Sequence, residues 1–438
     1  MDLHAYYLRK KFWIKDFFQG GHMWNAFKEI EFIYKNVDEG EKIRQRRLSE
    51  LISFAKTNTK FYANIKGDKL SDFPVINKQI ILNHRDCFLV PDNAIPGQKG
   101  PLHIQKTSGS SGTPFSLPQD TLCRIRRIAQ IKYANELIGF HSYLPLMHLR
   151  AHKRHGHDVG DYLYNKDLNI LYVDNSNIDD KKAFEICNLI NKHKILFVRG
   201  YMTTLDIITE FAKNNNLDFV TKPTFISVGE LLKESLRHRI VSMGCKIISQ
   251  YGNEENGVFG QSDVNGKGSD ITLYRSNCIV EILKFDSDEP CSADELGRIV
   301  ITDLTNYAMP MIRYEIGDCA KVGSVHNGIL LSIKELAGRK TDLIVKTNGE
   351  FVDFFNSMPA IIYDENAMKQ FQFIQKNEKE YEMHVVVADK KYENVDYFTE
   401  IVKNIVGSDA VVKVFFWNNI PLMESGKRKV VINEWKNQ

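Results

Sequence analysis

The chain has 438 residues, 43% of them hydrophobic and 26% charged, the balance of an ordinary globular protein with room for two to four domains, which excludes a disordered, collagenous or fibrous chain. Lys and Arg number 58 against 55 Asp and Glu, a formal net charge of +3, and so small a surplus excludes the dense basic field of a dedicated nucleic-acid binder. No apolar stretch reaches the ~18 residues needed to cross a bilayer and no signal-peptide pattern opens the chain, so the expected location is cytoplasmic.

From Met1 to about Val37 the sequence is rich in aromatic and basic residues, among them Tyr6, Tyr7, Phe12, Trp13, Phe17, Phe18, Trp24, Phe27 and Phe32. Two placements are open to it: a helical cap packed on the main domain, or an amphipathic helix lying on a membrane or another subunit. Ile43, Leu48, Leu51, Ile52 and Ala55 then recur at helical spacing, and Phe73-Pro74 interrupts any continuation.

From Pro101 to about Asp318 short apolar runs alternate with helical stretches. Helices are expected at Asp120–Phe140, Asp180–Lys194, Thr204–Asn214 and Leu231–Met243. Strands are expected at Ile195–Val198, Thr224–Val228, Lys246–Gln250 and Gly297–Asp303. Such alternation predicts a layered α/β domain with an at least partly parallel sheet. Beyond Gly338 the texture changes to strands at Phe371–Ile374 and Met383–Ala388 about an Asn377-Glu378 turn, a helix at Val395–Val406 and a strand at Val411–Trp417, a compact α+β unit. The seven cysteines are scattered, with no Cys-x-x-Cys pair, so neither a disulfide framework nor a structural zinc site is expected.

The strongest local signal is Thr107-Ser108-Gly109-Ser110-Ser111-Gly112-Thr113-Pro114. Its glycines free the backbone to turn N–H groups inward, and its hydroxyls add neutral donors, together a cradle for phosphate oxygens. It lacks the Gly-Lys-[Ser/Thr] ending of a Walker loop. On composition alone a flexible Ser/Gly loop is the competing reading. A second signal is the stretch holding His148, His152, His155 and His157. The i, i+4 pair has metal-like spacing, but Arg150, Lys153 and Arg154 interleave, so a basic loop facing an anionic substrate and a plain solvated face are the alternatives.

Five further segments follow in order: Phe225-Ile226-Ser227-Val228-Gly229-Glu230, Gln250-Tyr251-Gly252-Asn253-Glu254-Glu255, Ile312-Arg313-Tyr314-Glu315-Ile316-Gly317-Asp318, Gly338-Arg339-Lys340-Thr341-Asp342 and Pro421-Leu422-Met423-Glu424-Ser425-Gly426-Lys427. This ordered set resembles the adenylate-forming superfamily, whose members make acyl adenylates from ATP and a carboxylate. It is most similar to the phenylacetate–coenzyme A ligase branch and its relatives from capsule and O-antigen loci, and Ser71–Lys78 extends the resemblance toward the N-terminus. The resemblance implies a large multilayer α/β N-terminal domain over residues 1–338, with 1–100 a helical or irregular lead-in, and a small mobile α+β C-terminal domain over 339–438.

Carried over residue by residue, the resemblance implies that the loop of Thr107, Ser108, Gly109, Ser110, Ser111, Gly112 and Thr113 holds the β- and γ-phosphates. Tyr251, beside Gly252, stacks on adenine. Gly229 and Glu230 lie in the adenine-contacting segment, Asp318 accepts from the ribose hydroxyls, Arg339 touches ribose or phosphate, and Glu255 helps bind Mg²⁺. Lys427 neutralises charge during adenylation, with Lys429 the nearby competitor. The implied activity is ATP-dependent, AMP-forming activation of a small carboxylic acid, followed by transfer to a thiol (coenzyme A or a carrier protein) or to an amine such as an amino sugar nucleotide, in surface polysaccharide biosynthesis. An oligomer is compatible with it. Two departures bear on the acceptor: Glu350 sets a negative charge where the family's passage borders the thiol's route, which weakens the case for coenzyme A and makes an amine at least as likely an acceptor, and Thr341 stands where relatives place a hinge Asp. The competing class is a catalytically silent nucleotide-binding scaffold of the same fold.

Overall fold

The computed structural model describes residues 2–107, 115–150, 162–263, 270–340, 343–358, 368–421 and 429–435. The chain divides into two compact units, one of residues 1–144, 167–169 and 248–336, the other of 145–166, 170–247 and 337–438.

The first unit opens with three helices, Leu3–Phe18, His22–Lys35 and Val37–Asn58. Asp2 caps the first through the amide of Ala5 at 3.0 Å. Asp16 then accepts from the amides of Met23 and Trp24, turning the chain into the second helix. A hairpin of His103–Thr107 and Phe115–Gln119 leads into the helix Thr121–Leu137, whose N-cap Asp120 accepts from the amides of Cys123 and Tyr307. Burial raises the Asp120 carboxyl against those two amides.

The sheet of this unit runs in the order Cys278–Leu283, Leu296–Asp303, Tyr314–Val322, Ser332–Arg339, Ile271–Leu273, Gly257–Ser262, Lys246–Asn253. Its core gathers Leu51, Tyr62, Phe73, Phe88, Phe259, Ile299, Met309 and Ile333. The Phe-Pro passage is tied to the segment ahead of Asp318: the Ile76 amide donates to the Arg313 carbonyl at 2.9 Å, and the Glu315 amide donates to the Ile76 carbonyl at 2.7 Å. Arg313 holds a left-handed φ of 55°, kept there by its bonds to Thr302, Phe73 and Glu281.

In the second unit Thr224–Val228, Phe197–Tyr201, Leu146–Leu149 and Ile170–Val173 are parallel neighbours, with Tyr162–Asn165 antiparallel at the edge. The helices Asp180–Lys192, Met202–Asn214 and Glu234–Ser242 share a core with them around Val198, Leu205, Phe225 and Leu236. A separate four-stranded sheet, Val411–Phe416, Glu380–Val387, Met368–Gln375 and Val431–Asn433, packs with the helix Val395–Val406 around Phe373, Met383, Phe398 and Val402. The α/β class, the partly parallel sheet and the distinct C-terminal sheet all match the expectation from sequence.

Four expectations are corrected. The strand expected at Ile195–Val198 is Phe197–Tyr201. The helix after Glu230 begins at Glu234 rather than Leu231, because Leu231 packs against the C-terminal core instead of continuing a helical stripe. His148 sits on a strand, in register with Tyr172 and Arg199, so it is not on a helix as the i, i+4 spacing required; His152, His155 and His157 lie outside the described residues. The strand Lys246–Asn253 runs three residues past Gln250 and carries Tyr251 and Gly252 within it.

Candidate active site

Tyr251 lies on the strand Lys246–Asn253 and Asp318 on Tyr314–Val322, two strands that are not neighbours in the sheet. The structure brings them together: the Tyr251 hydroxyl donates to Asp318 Oδ2 at 2.9 Å. The Tyr251 ring is buried and meets Phe259 edge to face, with centroids 4.6 Å apart. Its neighbour Gly252 is required by space, since a Cβ there would lie 2.4 Å from the Gly257 carbonyl oxygen and 2.8 Å from Val258 Cα. Gly317, one residue ahead of Asp318, holds a φ of 85°, a conformation that glycine adopts without strain.

The turn that carries Glu255 is fixed from beneath by Arg127. From the helix Thr121–Leu137 this guanidinium donates to the Glu254 and Glu255 carbonyls and pairs with Asp303 at 2.9 Å. Arg127 and Asp303 are both buried, so the bridge fixes the turn in a place where losing either partner strands a charge. Gln105 Nε2 donates to Glu254 Oε2 at 2.7 Å, which ties the stem of the hydroxyl-rich loop to the same turn. Thr107 ends that stem strand; Ser108, Gly109, Ser110, Ser111, Gly112 and Thr113 lie outside the described residues.

Arg127, Asp303 and Gln105 were not singled out from sequence. No signal in the sequence marks Arg127: that it shares a buried face with Cys123, Gln130 and Ala134 appears only in the structure, where a buried cation needs an internal partner.

The other expected residues belong to the second unit. Gly229 has a φ of 69°, and Glu230 accepts from the Thr203 amide at 2.8 Å and its hydroxyl at 3.2 Å, so this carboxylate anchors the start of the helix Met202–Asn214. Arg339 ends the strand Ser332–Arg339. Lys427, Thr341 and Asp342 lie outside the described residues. The competitor Lys429 gives its carbonyl to Gln372. Glu350 pairs with Lys346 at 3.1 Å, and that ammonium holds the carboxyl below its ordinary range.

Residues 344–434 match the family model of the CapK C-terminal domain. Over 412 residues the chain is 22% identical to Protein CapK of Staphylococcus aureus, covering 90% of this chain and 89% of that one. The solved structure of 2-hydroxyisobutyryl-CoA ligase, in the postadenylation state with an acyl-AMP, superposes with a TM-score of 0.68 at 15% identity over 91% of this chain and 90% of that one. O-succinylbenzoate coenzyme A synthetase from Bacillus subtilis, in complex with ATP and magnesium, superposes with a TM-score of 0.51 at 13% identity, covering 75% and 68%. The chain has the fold of these ligases, and its residues 344–434 are similar to the CapK C-terminal domain. At these identities the likeness to the solved ligases is one of fold. Among the described residues no helix is long and apolar enough to cross a membrane.

Proposed function

We propose that this chain is an ATP-dependent, AMP-forming ligase that activates a small carboxylic acid as an acyl adenylate and passes the acyl group to an acceptor. The observation that carries the reading is the Tyr251–Asp318 hydrogen bond. It joins two residues 67 positions apart that the resemblance assigns, independently, to adenine and to ribose. A structural tyrosine–aspartate pair is common; one joining these two motif positions is what a nucleoside subsite calls for.

The donor set suits ATP and Mg²⁺. Asp318 offers an acceptor-only carboxylate to a ribose diol, and the Tyr251 hydroxyl orients it. The loop from Thr107 to Thr113 offers hydroxyls and backbone amides to the β- and γ-phosphates. Glu255 offers one hard oxygen ligand on a turn held by Arg127, which is the usual protein share in a Mg²⁺ site completed by phosphates and water. When bound, Mg²⁺ neutralises phosphate charge. In the first half-reaction a carboxylate oxygen of the acid attacks the α-phosphorus and pyrophosphate leaves. Lys427 is assigned to balance the negative charge that builds there. Arg339, beside Gly338 with its φ of 77°, is assigned to ribose or phosphate at the start of residues 339–438, the domain that the resemblance makes mobile between half-reactions.

For the second half-reaction we favour a thiol, of coenzyme A or a carrier's pantetheine. The Lys346 ammonium beside Glu350 offsets the charge that argued against coenzyme A. A role in surface polysaccharide biosynthesis is consistent with the CapK relative. The test supplies ATP, Mg²⁺ and a panel of acids with coenzyme A or amino sugar nucleotides and weighs the products. Acyl thioester is expected. Amide without thioester would overturn the acceptor, and no AMP with any acid would leave a nucleotide-binding scaffold in place of an enzyme.

A further inference from the structure

The helix Leu3–Phe18 packs on the first unit by one side only. Ala5 is buried, and Phe12 and Trp13 pack against a core of Met23, Ala26, Ile30, Ala129 and Tyr133. The Lys132 ammonium sits 4.2 Å above the Phe12 ring. At roughly 100° per residue, Leu3, Tyr7, Ile14, Phe17 and Phe18 fall within about one quarter to one third of a turn on the opposite side. All five are more than half exposed, with Leu3 at 72%, Phe17 at 74% and Phe18 at 81%. Large apolar side chains grouped along one face of a surface helix are not the single scattered exposures that any protein shows.

The charges on this helix select its partner. Arg9, Lys10, Lys11 and Lys15 are its cations, and none of them makes an ion pair among the described residues. Asp2 and Asp16, the acids at its two ends, are used as caps. Lys10 falls inside the apolar arc, Lys11 and Lys15 along one edge and Arg9 toward the other. A second copy meeting this face would set the same four cations against themselves. A neutral apolar groove would bury Lys10 without a counter-ion. A bilayer surface bearing anionic lipid satisfies both halves of the pattern: aromatic and aliphatic side chains enter the boundary of headgroups and acyl chains, while lysine stems reach back to lipid phosphate.

We infer that the helix Leu3–Phe18 is an interfacial anchor that holds this protein on an anionic membrane surface without spanning it. The test is flotation of the full-length protein with vesicles of phosphatidylcholine alone or mixed with phosphatidylglycerol, at low and at moderate salt. Binding is expected to the mixed vesicles, at least tenfold tighter than to phosphatidylcholine and weakened by salt. Phe17→Glu with Phe18→Glu should lose at least tenfold in that binding. Lys10→Glu with Lys15→Glu should abolish the preference for anionic lipid. Both variants change exposed side chains, and circular dichroism with thermal melting confirms their folding. No binding of the parent to the mixed vesicles, or undiminished binding by both variants, overturns the inference. So does a parent that is dimeric by light scattering, becomes monomeric in the Phe17/Phe18 variant and never floats.

Discussion

Removing the Tyr251 hydroxyl tests whether the Tyr251–Asp318 bond builds the nucleoside subsite. Tyr251→Phe keeps the ring, its burial and its edge contact with Phe259, and deletes one bond of 2.9 Å to a carboxylate. A hydrogen bond to a charged group contributes about 1.5–3 kcal/mol, and the low end applies because water can replace the phenol at a nucleotide-accessible carboxylate, giving about a tenfold loss in affinity. Asp318→Ala removes the acceptor of the ribose diol itself and should cost about a hundredfold. Because the phenol acts through the carboxylate, the losses should not add: the double variant should bind about as poorly as Asp318→Ala, about a hundredfold below the parent, rather than the about thousandfold below the parent that independent sites predict. Calorimetric titration with ATP and with AMP measures the cycle, and both nucleotides should lose alike since both carry the ribose. Fully additive losses, or unchanged AMP affinity in Asp318→Ala, would refute the nucleoside subsite.

Ser110→Ala with Ser111→Ala should weaken ATP more than AMP, which lacks the β- and γ-phosphates; equal losses in titration would remove that loop from the phosphate site. Gly252→Ala drives a Cβ into the Gly257 and Val258 backbone, so it should cost about 2 kcal/mol or more in urea denaturation, and a parental midpoint would contradict the close approach. Burial beside Phe12, Trp13 and Tyr143 lowers the Lys132 ammonium to about 8. The unfolded chain therefore holds more protons from about pH 8 up to the ordinary lysine value, so stability should rise with pH across that window and be penalised below it. Lys132→Met should flatten the rise in urea midpoints, and an unchanged slope would assign it to another group.

Where one element carries its own periodic pattern, the sequence was legible. The strand Thr224–Val228 and the helix Val395–Val406 have the bounds the pattern predicts, one an apolar run and the other an amphipathic stripe with Asn394 as N-cap. The four-residue strands Leu146–Leu149 and Ile170–Val173 were not expected from sequence. Leu231 was drawn into a helix by the stripe that follows it, although tertiary packing claims it.

At the site, resemblance named Tyr251 and Asp318, but nothing in their spacing announces a hydrogen bond across 67 residues. Arg127 was hidden for the same reason. Its partner Asp303 is 176 residues away, and an arginine within Arg124-Ile125-Arg126-Arg127 reads as a solvated face until burial shows otherwise. Glu350 shows the reverse: seen alone in sequence it was a repulsive charge, and the structure supplies its neutralising neighbour, Lys346.

Acid-dependent exchange of labelled pyrophosphate into ATP, run on the parent and on Lys427→Ala, is the most direct measurement of the central claim, because it reports adenylation alone and needs no acceptor. At least one acid of the panel should drive exchange by the parent, and Lys427→Ala should lower that rate by about a hundredfold or more, some 3 kcal/mol of transition-state stabilisation. The variant should still consume a supplied acyl adenylate. Exchange by Lys427→Ala at the parental rate would contradict the role given to that lysine, and a parent that binds ATP yet exchanges pyrophosphate with no acid would contradict the ligase itself.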